Sequence, residues 1–469
     1  MKDKNLIDVH EFAPAEVSEI DLYQHREKIY TRKIEGFYQR IRLYTGWPLL
    51  IAYFLLPWLS WDGRQAIWFD LPERKFHILG LVFWPQDFPL LAFLLIISAF
   101  ALFAVTVVAG RIWCGYTCPQ TVWTSIFMWI EQKFEGSRNQ RMRLDKGPWN
   151  AEKVLRKGLK HGGWLFVAFL TGMTFVGYFY PVRELLPDLL TLSAGQWGVL
   201  WTLFFTLATY INAGWMREQV CKYMCPYARF QSVMFDQDTL IVSYDPTRGE
   251  PRGSRKRDAD HKALGLGDCI DCELCVQVCP TGIDIRDGLQ YECIGCALCI
   301  DACDSVMDKM SYPRGLISYT SEHQLQGGTT HWLRPRIIGY LLVLCVMVGL
   351  FSYRSVTRVP LELTVIRDRN ELYMTTMDGK IENIYTLSLV NMEQSMHEFE
   401  IQISGIDGAE IIGDTLYTLD GGEVRSIPLR VRAAPEQLPK PSSEIVFTAR
   451  ATDLESLQTR SESRFMRPL

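Results

Sequence analysis

Nothing in the 469 residues resembles a phosphate-binding loop, a dinucleotide fingerprint or a hydrolase triad, which removes the common nucleotide-dependent and hydrolytic enzymes. Histidine is sparse. The eight present show no H-x3-H or H-E-x-x-H spacing, so their spacing gives no support to a histidine metal site. Charge of one sign is lacking as well: 49 Lys and Arg against 53 Asp and Glu leave a net charge of −4, which argues against nucleic acid as a partner. No cysteine occurs in 358–469, a lack compatible with an oxidising compartment. No signal peptide opens the chain, so the first apolar span is expected to direct insertion. With 48% hydrophobic and 22% charged residues, a disordered or collagen-like chain is excluded.

What is present begins with apolar runs. A bilayer takes about 20 nearly uncharged residues to cross. Residues 87–110, 163–181, 195–214 and 337–353 fit, and 43–61 is a fifth candidate interrupted by Pro48 and Pro57. Trp47, Trp58, Trp61, Trp164, Tyr178, Tyr180, Trp197 and Trp215 cluster at the ends of these runs, as interfacial anchors do. The predicted protein is an integral membrane protein that crosses the bilayer several times. Lys and Arg gather before the first span and between the second and third (Lys133 to Lys160), while the loop after the third has only Arg183. By the positive-inside rule the N-terminus is cytoplasmic and, with five spans, the C-terminus lies outside.

Eight of the thirteen cysteines form two runs, Cys269, Cys272, Cys275, Cys279-Pro280 and Cys293, Cys296, Cys299, Cys303. Both have the C-x2-C-x2-C-x3-C spacing of bacterial ferredoxins, in which the fourth cysteine of each run ligates the other run's cluster. The expected sets are therefore Cys269, Cys272, Cys275 and Cys303 for one 4Fe–4S cluster, and Cys293, Cys296, Cys299 and Cys279 for the second. Asp304 stands where the pattern has proline. Asp268, Asp271, Glu273, Glu292, Asp301 and Asp304 surround the loops, and their charge is expected to lower the cluster potentials.

Four more cysteines make a second repeat, C-x-Y-x-C-P, at Cys114/Cys118 and Cys221/Cys225. Both motifs follow spans of the same direction and emerge on the cytoplasmic face. If helical, each i, i+4 pair shares one face. Paired soft thiolates select Cu(I), zinc or iron–sulfur chemistry. Met216, Met224 and Met234 lie close enough in sequence to add thioethers, although methionine is ordinarily a gap-filler. Cys345, inside the fifth span, reads as packing, and the basic run 248–262 as a linker contacting lipid headgroups.

The domains expected are a cytoplasmic segment 1–42; a four-helix transmembrane region 43–235; a cytoplasmic 2×(4Fe–4S) ferredoxin domain of α+β type, 236–334; a fifth transmembrane helix 335–357; and a periplasmic all-β sandwich of immunoglobulin type, 358–469. The sandwich rests on alternating stretches at 362–365, 384–390, 398–403, 427–431 and 445–449, separated by Asp-Gly turns.

The stretches GRIWCGYTCPQTVW (110–123), CKYMCPYARFQSVMFD (221–236), YDPTRGEPRG (244–253) and the cysteine-rich run 269–304 resemble the CcoG family, also called FixG or RdxA. That resemblance covers nearly the whole chain. It implies an accessory protein of cbb3-type cytochrome c oxidase assembly, an iron–sulfur cupric reductase that supplies Cu(I), with copper ions as substrate or transient ligand. Cys114, Cys118, Cys221 and Cys225 are then the candidate copper and catalytic site. A cytoplasmic electron donor, a copper exporter or chaperone, and oxidase assembly components are the expected partners besides membrane lipid. Two other functions fit the residues: a non-catalytic assembly factor that docks oxidase subunits, and a quinol dehydrogenase feeding a periplasmic reductase.

Overall fold

The computed structural model describes residues 28–468 apart from 258, 261, 369 and 370. Most of the expected segment 1–42, and the side chain of Ser232, lie outside the described residues; Met234, a candidate thioether, is half-buried. Three helices among the described residues are long and apolar enough to cross a membrane: Pro85–Ala109, Gln196–Met216 and Pro335–Val356. They carry the expected spans 87–110, 195–214 and 337–353. Their outer faces expose Leu94, Leu95, Trp201, Phe204, Leu342 and Val346, a surface suited to hydrocarbon rather than water. This is a membrane protein. Cys345 is exposed on the last of these helices, so it faces outward and is not a packing residue.

The other two expected spans take a different form. Residues 43–61 do not make one helix: Phe37–Leu55 is followed by the turn Leu56–Trp58 and a short strand, Ser60–Trp61. Pro57 explains the break, since it disfavours helix at the residue before it and fixes the start of the next turn. Residues 163–181 fall largely on the helix Ala151–Val176, whose first half carries Lys153, Arg156, Lys157 and Lys160.

Helices Ala151–Val176 and Gln196–Thr209 pack closely because Gly172 has no side chain; a Cβ there would lie 2.7 Å from the Thr202 carbonyl oxygen. Small residues at such crossings let helix backbones approach. Beyond this contact, the helix Pro119–Glu135 buries two carboxylates. Glu131 pairs with Arg217 at 2.7 Å and Arg141 at 3.2 Å, and Glu135 with Lys157 at 2.8 Å and Lys160 at 2.9 Å. Much of the basic loop is thus tied into the bundle, as buried charges require.

Residues 361–466 form two antiparallel sheets. One runs in the order Glu410–Ile412, Val424–Ala433, Ile381–Asn391, Leu361–Arg367, with Met374–Thr375 beside Ile381–Asn391; the other runs Leu416–Leu419, His397–Ser404, Ser442–Ala451, Gln458–Met466. Tyr385, Leu387, Phe399, Val431, Phe447 and Phe465 fill the space between them. The alternating stretches anticipated from sequence all fall in these strands.

The ferredoxin region is built on a strand pair, Ile241–Tyr244 with Ile317–Thr320, and two helices, Leu274–Val278 and Leu298–Met310. Each helix starts inside a cysteine run. The repeat extends to the backbone: Asp271 and Glu273 (φ 53° and 54°) occupy the same places in the first run as Gly295 and Ala297 (φ 63° and 58°) in the second. Alternating left-handed residues turn successive N–H groups inward, a concavity that favours anionic groups such as iron–sulfur clusters.

Candidate metal centres

The two cysteine runs close around two cavities. The first, with about 370 Å³ of empty space, is lined by Cys269, Cys272, Cys275 and Cys303. The second, about 350 Å³, is lined by Cys279, Cys293, Cys296 and Cys299, with Cys275 between the two. The fourth cysteine of each run therefore lies with the opposite run. All-sulfur donor sets and inward-turned amides together fit 4Fe–4S clusters.

The surroundings differ. Cys272 is exposed, and Glu273 and Arg286 line the first cavity. Arg286 also holds Asp284 and Asp271, each at 2.5 Å. Asp268 is paired with Arg248 at 2.6 Å, and Asp304 accepts the Gly315 N–H at 3.0 Å. The acidic ring is thus largely engaged, which weakens its expected effect on potential. The basic run does not hang free as a headgroup linker either. Arg248 also donates to the Pro313 and Arg314 carbonyls, and Arg255 donates to Gly267 and lies over the Tyr312 ring. Guanidinium forks satisfied by carbonyls make this stretch a strap over the first cluster loop.

Apart from its sulfurs, the second cavity is lined mainly by Val242, Ile283, Ile285, Ile294 and Leu298, with Thr281 among them. Its charge comes from behind. Arg111, buried at the end of the spanning helix, donates to the carbonyls of Tyr291, Cys293 and Ala228. Arg42 donates to the Gly115 carbonyl at 3.1 Å. Neither arginine was singled out from sequence as a site residue.

The C-x-Y-x-C-P motifs are not single helices. Ile112–Tyr116 ends before Cys118, which caps Pro119–Glu135 in an extended conformation (ψ 129°). Cys221 sits in a π-turn, Val220–Met224, and Cys225 caps Pro226–Met234 (ψ 108°). The proline forces this, because it suits the first helical position and pushes the preceding residue out of the helical region. The i, i+4 expectation fails, yet the pairs converge. Burial pushes the Cys114 thiol up to about 12, with the Cys118, Cys221 and Cys225 sulfurs adding to it. Cys221 rises to about 11 for the same reasons, burial first, then Cys118 and Cys225. Cys114 also donates to the Gln231 side chain at 3.3 Å. Met224 is exposed.

This thiol group abuts the second cluster loop. Cys114 and Cys221 pack against Cys296, Ile294, Val278 and Leu298. A Cβ on Gly115 would stand 2.8 Å from the Gly295 oxygen and 2.9 Å from the Cys296 Cα, so only glycine permits the approach. The Tyr319 hydroxyl donates to the Gly295 oxygen at 2.5 Å and meets the Tyr116 hydroxyl at 3.2 Å. Two cluster cavities, a thiol group in contact with one of them, and lipid-facing helices define a membrane-bound iron–sulfur redox protein.

The comparisons with known proteins narrow the class. Residues 216–322 match a 4Fe-4S dicluster domain family, 91–136 a 4Fe-4S binding domain family, and 351–468 a family described as the IG-like fold at the C-terminal of FixG. The chain is 38% identical over 440 residues to nitrogen fixation protein FixG of Rhizobium meliloti, covering 86% of this chain and 84% of the relative. It is 42% identical over 403 residues to protein RdxA of Cereibacter sphaeroides, covering 82% and 84%. A crystal structure of a FixG-related protein from Vibrio parahaemolyticus shares 30% identity over 24% of this chain and 98% of that one, with a TM-score of 0.22. The chain belongs to the FixG/RdxA family.

Proposed function

We propose that this protein takes electrons from a cytoplasmic donor and reduces Cu(II) to Cu(I) at the thiol group Cys114, Cys118, Cys221 and Cys225, supplying copper for assembly of a cbb3-type cytochrome c oxidase. In this reading Cys269, Cys272, Cys275 and Cys303 hold one 4Fe–4S cluster, and Cys279, Cys293, Cys296 and Cys299 the other. When bound, such clusters store and pass single electrons. The chain supplies the rest. Exposed Cys272 offers the donor a docking edge. Arg111 fixes the Cys293 loop to the membrane region, and Gly115 lets that loop touch the cysteine pair. The four thiols bind the softer, reduced ion better, which draws the one-electron step Cu(II) + e⁻ → Cu(I) forward. Cu(I) would then pass to an exporter or chaperone.

The observation that carries this reading is the contact of Cys114 and Cys221 with the Cys296 loop. Five spans, a cytoplasmic ferredoxin region and an outer sandwich belong to the same proposal, supported by the Lys and Arg distribution. The test is Cu(II) reduction by anaerobically purified, dithionite-reduced protein, followed with a Cu(I)-specific chelator. Replacing the four cysteines by Ala is expected to abolish the rate while cluster absorbance stays intact. An unchanged rate would show that the site is elsewhere.

A further inference from the structure

Histidine spacing alone gave no metal site, but the fold assembles one from distant segments. Asp238, in the turn before strand Ile241–Tyr244, is buried at 8% exposure. His323 Nδ1 lies 2.8 Å and His331 Nδ1 3.3 Å from the same oxygen, Asp238 Oδ1. The three ligand atoms all fall within 4.8 Å of one another, and the two rings stand nearly perpendicular, 84° apart with centroids at 5.5 Å. Metal–nitrogen and metal–oxygen bonds of about 2.0 Å put neighbouring donors roughly 2.8 Å apart in a square plane and roughly 3.3 Å apart in a tetrahedron. The two ring-to-carboxylate distances, which here are those of hydrogen bonds, fall within that range.

The surroundings hold the group in place. The backbone N–H groups of His331 and His323 donate to Asp238 Oδ1 and the Gln237 carbonyl, at 2.9 and 3.1 Å. Thr239 donates to the Val107 carbonyl at 2.9 Å and the Leu240 N–H to Val108 at 3.0 Å, both near the end of the spanning helix that leads to Cys114. His331 is 65% exposed at its side chain, which leaves open coordination positions and a route from solvent. Arg334, the nearby cation, is engaged with Asp236 and the Val107 carbonyl.

We infer that Asp238, His323 and His331 form a binding site for a divalent first-row transition ion, with Cu(II) the preferred one. Two imidazoles and a carboxylate suit Cu(II), which also stands highest in the affinity order of these ions. Cu(II) as the ion that arrives rests on the proposed copper chemistry. An N/O site for the oxidised ion then lies on the same helix end as an all-thiol site for the reduced one, and the change of donor type gives copper a direction of travel.

The experiment uses the full chain in detergent with both clusters oxidised, titrated anaerobically with up to one equivalent of Cu(II) and read by electron paramagnetic resonance. The wild type is expected to show Cu(II) with superhyperfine splitting from two imidazole nitrogens. His331→Gln, at an exposed position where the fold does not depend on the ring, should leave a one-nitrogen pattern. His323→Gln/His331→Gln should remove the pattern and weaken binding by at least about tenfold. A two-nitrogen pattern that survives in His331→Gln, or wild-type Cu(II) without nitrogen splitting, would overturn the assignment and leave Asp238 as a hydrogen-bond hub. If the patterns change as expected while the reduced protein reduces no copper, the site stands and the reductase reading falls.

Discussion

The two cluster cavities are built from the same seven-residue backbone pattern, yet they are finished differently. The cavity of Cys269, Cys272, Cys275 and Cys303 draws its neighbouring charge, Arg286 and its strap, Arg248 and Arg255, from the ferredoxin region itself. The cavity of Cys279, Cys293, Cys296 and Cys299 is mostly apolar inside and is completed by Arg111 and Arg42 from the membrane region. A duplicated loop has thus been finished as an outer site braced from within the ferredoxin region and an inner site braced from the membrane region. Solvent reaches the first site at Cys272, and the thiol group touches the second, which is the order the proposed function uses.

The largest effect should come from breaking the docked site alone. Arg111→Leu removes three charge-assisted carbonyl contacts, each loss costing about 1–3 kcal/mol. Iron content is expected to fall from about eight to about four atoms per chain, with the outer cluster's signal retained. Loss of both clusters together would show that the outer site is not self-sufficient. Next comes Gly115→Ala, whose methyl must displace the Gly295–Cys296 backbone. Both clusters should assemble, but a shift of about 1 Å is expected to slow copper reduction by about tenfold or more. A wild-type rate in stopped-flow measurements would mean that electrons leave by another route.

That the two halves of the ferredoxin repeat would exchange their fourth cysteines was readable from spacing, because the spacing is itself the loop geometry. The convergence of the C-x-Y-x-C-P pairs was not readable, since it depends on tertiary packing of segments about a hundred residues apart. The i, i+4 pairing held only on condition that each motif is helical, and the proline that marks each motif excludes that continuous helix. Arg111 left no periodic trace. A single arginine after an apolar run looks like an interfacial anchor, and only tertiary contact shows that its guanidinium supports a cluster loop. Asp238, His323 and His331 were hidden by separation, as no spacing rule spans more than eighty residues.

Arg286→Gln tests the electrostatics of the outer site and should have a smaller effect. Arg286 lines only that cavity, so removing its charge takes away an interaction that favours the extra electron. The outer cluster's midpoint is expected to fall in a spectroelectrochemical titration while the inner one stays in place. Equal movement of both would mean that the two sites share one field, contrary to the division drawn above.

The smallest effect concerns how the docking is held. Asp301 lies on the helix that starts in the second cysteine run, and its carboxylate accepts the N–H groups of Tyr38 and Gln39 at 3.1 and 2.8 Å. It therefore caps the helix Phe37–Leu55 from a different part of the chain, and Gly36 leaves room for it; a Cβ there would fall 2.2 Å from the Asp301 Cγ. Negative charge at a helix start also suits the dipole. Asp301→Ala forfeits the cap at a cost of about 1 kcal/mol, whereas Asp301→Asn keeps an acceptor and should lose less. Because the cap joins the inner cluster's helix to the membrane region, thermal bleaching of the inner cluster should begin at lower temperature in Asp301→Ala, with the outer cluster's midpoint unmoved. Parallel loss of both clusters would assign the cap to the fold of the whole ferredoxin region and not to its docking.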